Sequence, residues 1–159
     1  MTPEKILQLD DIAFNGKKGL FTGKAKRKAN IAVMELDGKT FFANSQATND
    51  TDPAYYNFKG DKSSLVLMKP DGERRFNTLE IGHDRKVDSE AKLFEYLADI
   101  AEDGKPYSVN MLSERCMCDS CRGVMNQFQE KYPNVTINVV SGRKDRSERN
   151  NNNPWKYRK

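Results

Sequence analysis

The three cysteines of the chain, Cys116, Cys118 and Cys121, fall within six residues of one another. None has a distant partner, so a disulfide framework is excluded. Thiols at this spacing can hold a soft cation, work as a redox CxxC pair, or fill a core as small apolar groups. A second grouping, Asp88 and Glu90, stands earlier, with 27 residues between Glu90 and Cys118. Two carboxylates at this spacing suit the cap and first turn of a helix. If one is partly buried, its raised pKa fits it to carry protons.

Those residues need elements to position them. Ser89 to about Glu102 has the strongest helical spacing in the chain, with Leu93, Phe94, Leu97, Ile100 and Ala101 recurring every three or four residues. At about 100° per residue, Phe94, Leu97 and Ala101 lie within about 40° of Glu90, so Glu90 begins the apolar stripe. Gly104 and Pro106 stop that helix. A second helix is predicted from near Cys118 to about Lys131, closed by Pro133. On it Cys118, Cys121, Met125 and Phe128 share an arc of about 80°. If both stripes face one sheet, each helix aims its first turn at the same buried point. Asp88, Cys118 and Cys121 there would make a three-ligand zinc site with a fourth position open to water. The redox pair fits less well, because a strand-CxxC-helix signature stands late in this chain.

The rest of the chain reads as follows. Thr2 caps a helix predicted from Pro3 to about Ala13, and 14–28 reads as loop. A hairpin follows, Ala29–Leu36 and Lys39–Asn44, turned by Asp37-Gly38. Residues 45–60 read as loop. A second hairpin is expected from Ser64–Lys69 and Glu73–Glu80, around Pro70-Asp71-Gly72. Tyr107–Leu112 and Val135–Val140 read as strands, and the asparagine-rich stretch after Gly142 as disorder. Hairpin, helix, strand, helix, strand favours an α/β sheet with helices packed on it.

Length and charge set bounds. A chain of 159 residues with 36% hydrophobic and 31% charged residues holds one domain with a real core. No apolar run reaches the roughly 18 residues of a membrane span, so a soluble protein with no membrane partner is expected. MTPEKILQ lacks a basic segment followed by an apolar one, so no signal peptide is expected. The net charge of +4 is uneven: 17–28 holds six basic residues and no acid, 141–159 holds seven and two acids. Such flanks suit a polyanion, or are plain solvated segments. Trp155 and Tyr157, among Lys156, Arg158 and Lys159, could stack on bases or lie in an unstructured end.

Val87-Asp88-Ser89-Glu90-Ala91-Lys92-Leu93, followed by Ser113-Glu114-Arg115-Cys116-Met117-Cys118-Asp119-Ser120-Cys121, resembles the zinc-dependent deaminase superfamily. That superfamily carries H-x-E or C-x-E, then P-C-x-x-C. Phe128 to Val135 (FQEKYPNV) is similar to deaminase domains of bacterial polymorphic toxins. The resemblance covers about residues 29–140. It implies a three-layer α/β/α fold with a mixed central sheet of about five strands. It divides the chain into an N-terminal helix and basic arm (1–28), a catalytic domain (29–142) and a basic tail (143–159).

Asp88 stands where the family has His or Cys, and Met117 where it has Pro. Asp is a legitimate zinc ligand. Two thiolates and a carboxylate around Zn²⁺ give a formal charge of −1, equal to three-thiolate sites but less activating for water than a His-containing one. His83, the single histidine, could replace Asp88, hydrogen-bond it, or sit in a loop. Cys116 reads as pocket rim or packing.

The resemblance implies cytosine deamination in DNA, single- or double-stranded, with Glu90 as proton carrier and Asp88, Cys118 and Cys121 on zinc. Asn44, Ser113 and Glu114 are expected substrate contacts. A secreted effector acting in a target cell, with an immunity protein that blocks it, is implied too. The rival readings are an RNA or adenine deaminase, and a closed structural zinc site of His83 and the three cysteines in a nucleic-acid-binding module.

Overall fold

Thr2 opens the first helix by accepting a hydrogen bond from the Lys5 N–H (3.1 Å), with Pro3 at the first helical position. A computed structural model of the chain describes residues 2–27, 29–68, 73, 89–102, 104–114 and 119–141, and only the backbone of Arg27, Glu90, Asp119, Ser120 and Cys121. The expected second strand pair lies outside the described residues from residue 69 onward, save Glu73, and so does the tail after Ser141.

The helix α1 spans Pro3–Leu20, seven residues past its expected end at Ala13. Gly16 and Gly19 do not break it, because Gly16 is a close approach. A Cβ there would stand 2.8 Å from Cε1 of Phe42. Lys17 and Lys18 in the last turn suit the negative end of the helix dipole. A five-residue helix, α2 (Gly23–Arg27), also falls where loop was expected.

β1 (Ile31–Leu36) and β2 (Lys39–Asn44) form the expected hairpin. Both turn residues have positive φ, Asp37 at 51° and Gly38 at 79°. That is the turn whose twist matches the strands. Pro53 starts a single turn, α3 (Pro53–Tyr56). Of the next expected strand, Leu65 makes one parallel bridge to Phe42, after a 3₁₀ turn at Lys62–Ser64. Asp61 caps that turn through the Ser63 N–H (3.0 Å), which holds the chain out of extended geometry.

α4 (Ser89–Ile100), β3 (Tyr107–Ser113), α5 (Asp119–Lys131) and β4 (Val135–Val140) follow within one or two residues of expectation. The strand order is β2-β1-β3-β4. β1 is antiparallel to β2 and β3, and β4 is parallel to β3, with α5 as the crossover a parallel pair requires. The sheet is mixed as expected, with four strands among the described residues rather than about five.

Strand alternation sends side chains to two cores. Ala32, Met34, Phe41, Ala43, Val109 and Met111 face α4 and α5. Ile31, Val33, Phe42 and Leu112 face Ile6, Leu9 and Ala13 of α1. The result is three layers, with α1 as one of them.

Candidate active site

The beginning of α4 is fastened to the sheet. Ser89, fully buried, donates its hydroxyl to the Asn30 carbonyl (2.8 Å) just before β1. Lys92, 1% exposed, donates to the carbonyls of Asn44 and Ala47, both at 2.9 Å, where β2 ends. A buried ammonium is costly unless its protons are satisfied, and these carbonyls provide acceptors. α4 therefore starts at the sheet end where β1 begins and β2 stops.

β3 ends there as well, since Ser113 pairs with Ala32. Five residues, 114–118, separate it from α5. The two helices run parallel. The rings of Phe94 and Phe128 lie 6.0 Å apart, and the Tyr132 hydroxyl donates to the Ala98 carbonyl (3.4 Å). Both pairs have the same sequence offset of 34. That offset sets Ser89 level with Gly123, so the helices begin within about 6 Å of the same height. Packed helices of this kind have axes about 8–10 Å apart. Two helix starts, with their positive dipole ends, thus share one end of one sheet face.

Glu90 is the second residue of α4 and Cys121 the third of α5. Their side chains lie outside the described residues, as do Asp88, Cys118, Cys116 and His83. Among the described residues no group of three or more His, Cys, Asp or Glu could hold a metal ion.

The expected substrate contacts are all buried. Asn44 donates its amide to the Ala25 carbonyl (3.0 Å) and accepts from the Gln46 N–H (2.9 Å), on the α1 side of the sheet. Ser113 accepts from the Asn30 side-chain amide (3.3 Å), on the α4–α5 side. Glu114 accepts from the Lys17 ammonium (2.8 Å) and the Ile31 N–H (3.2 Å). Its carboxylate thus ties α1 to the first residue of β1.

Two further residues organise this end and were not singled out from the sequence. Asn30 joins three segments: it accepts from Ser89, donates its N–H to Ser45 Oγ (2.9 Å) and its amide to Ser113. Lys92 lies about 160° from Phe94 around α4, away from the apolar stripe. It is buried because the chain after β2 covers that side, which periodicity cannot reveal.

A family model for toxin deaminases, described as the BURPS668_1122 family of deaminases, matches residues 18–143. No curated protein and no solved structure matches the chain.

Proposed function

The chain belongs to the toxin-deaminase family, and from that membership we propose that it converts cytosine to uracil in DNA with a bound zinc ion. The observation that carries this reading is the shared starting point of α4 and α5. Asp88 and Glu90 flank the first residue of α4, and Cys118 and Cys121 flank the opening of α5. The donor types fit the ion: two thiolates and a carboxylate suit zinc and leave a fourth position. That the two helices start at one end of one sheet face supports a common ion there.

Asp88, Cys118 and Cys121 would hold the metal, which supplies Lewis acidity that makes water a competent nucleophile near neutral pH. Glu90 takes the two protons of the attacking water in turn and delivers one to ring nitrogen N3 and the other to the departing amine. The water oxygen adds to C4, the C4–N4 bond breaks, and ammonia leaves. The protein's part is to hold this constellation fixed. Ser89 and Lys92 anchor α4 to the sheet on either side of Glu90 in sequence.

Glu90→Ala should lower turnover by about 10²- to 10⁴-fold, the usual worth of a placed acid–base group, while zinc stays bound. Cys118→Ser should lower the metal content measured by atomic emission to well below the one zinc per chain of the parent. Undiminished turnover in Glu90→Ala, or a zinc-free parent that remains fully active, would overturn the proposal. As a secreted effector the protein would be toxic when expressed inside a target cell, and a cognate immunity protein would relieve that toxicity by covering the site.

A further inference from the structure

Four lysines, Lys18, Lys24, Lys26 and Lys59, are exposed. None forms an ion pair with a described residue. They come from separate pieces of chain brought together by the fold. Lys59 donates its N–H to the Leu20 carbonyl at the end of α1 (3.0 Å). α2 packs on α3, with Ala25 and Ala54 in one core. Beside them Tyr56 is 57% exposed.

The carboxylates of Asp52 and Asp61 keep their charge but accept from groups of their own turns and form no ion pair with these lysines. Asp52 accepts the N–H groups of Thr48 and Asn49 (2.7 and 2.9 Å). Asp61 accepts the N–H and hydroxyl of Ser63 (3.0 and 2.8 Å). Around the corner Tyr55, Lys62, Tyr96 and one carboxylate, Asp99, line a cleft of about 310 Å³, with the Lys62 ammonium 5.5 Å from the Tyr55 ring centre.

Exposed ammonium groups that form no ion pair among the described residues, beside a ring held out in water, match one kind of partner. Phosphates meet the cations and an unstacked base meets the ring. We infer that α2, α3 and the residue Lys59 form the surface along which a single-stranded polynucleotide lies. Its phosphates rest on Lys24, Lys26 and Lys59, a base stacks on Tyr56, and the tyrosine-lined cleft takes a neighbouring base. The surface adjoins the candidate active site, because the Asn44–Ala25 hydrogen bond ties α2 to the end of β2 from which α4 is also anchored. The inference rests on the deaminase reading only for what happens to the bound strand.

The test is anisotropy of labelled single-stranded oligonucleotides, one DNA and one RNA of the same sequence, titrated with the full chain across a salt series. The combined change Lys24→Gln, Lys26→Gln and Lys59→Gln should reduce the slope of log affinity against log salt by about 2. Tyr56→Ala should weaken binding about tenfold at fixed salt. Lys39→Gln with Lys105→Gln, at the opposite end of the sheet, should leave the slope as it was. The DNA and RNA arms identify which polymer the surface prefers. An unchanged slope in the triple variant, an equal loss in the control, or equal affinity for polyglutamate of the same length would overturn the inference. A strand bound this way but never deaminated would leave the inference standing and remove the deaminase reading, so the two fail separately.

Discussion

Lys92 is the residue whose chemistry most constrains the candidate site. Its ammonium is buried and bonded to two main-chain carbonyls that end β2. Lys92→Met keeps the stem but leaves those carbonyls without that donor, at about 1–3 kcal/mol. Urea unfolding should register that loss, and turnover should fall further than stability because α4 loses its anchor beside Glu90. Lys92→Arg, longer and planar, should not restore it. A second residue-scale expectation concerns acid. Glu35 is held below the usual carboxylate pKa chiefly by its hydrogen bond from Lys5, against an opposing effect of burial. A depressed folded pKa stabilises the protein above the unfolded value, and that stability is lost as pH falls through the folded one. The Tm of the parent should therefore drop on acidification more steeply than that of Glu35→Gln, by an amount suited to a part-exposed pair. Parallel Tm curves would show the pair to be inert.

At the scale of elements, α1 was legible at its start and not at its end. Thr2-Pro3 announces the cap, but Gly16 reads as a breaker when it is a packing contact with Phe42. Only a tertiary neighbour could reveal that. Gly16→Ala should gain about 1 kcal/mol of helix propensity and lose about 1–3 kcal/mol to overpacking, for a net loss in urea unfolding. Adding Phe42→Leu should recover part of it, because the two sites share one space. Equal effects of Gly16→Ala in both backgrounds would mean that Phe42 does not set the limit. α4 and α5, by contrast, were read nearly to the residue, since their apolar spacing does bury against the sheet. Lys92 and Glu95 are buried too, because α4 is buried almost all round, and such a helix has no polar face to follow.

Across the whole molecule, the order of elements pointed to a sheet with helices packed on it, and the three layers were implied by the family resemblance. The core should behave accordingly. Leu97, with no exposure and packed among α4, α5 and sheet residues, should cost about 2–5 kcal/mol when cut to Ala. The convergence of two helix starts at one sheet end was legible on the condition that the stripes on both helices face the same sheet, as they do. The cationic surface was legible only in part. A run of basic residues in 17–28 was plain, but Lys59 and Tyr56 join it through folding across α3, and Lys17 leaves it to pair with Glu114.

The most direct measurement is to incubate the zinc-loaded full chain with single- and double-stranded DNA and RNA containing cytosine and adenine, then sequence the products. The account predicts cytosine read as thymine in DNA, with Glu90→Ala leaving the same DNA unaltered. Unchanged cytosines in DNA after incubation with folded, zinc-bearing protein, or conversion that persists in Glu90→Ala, would contradict it.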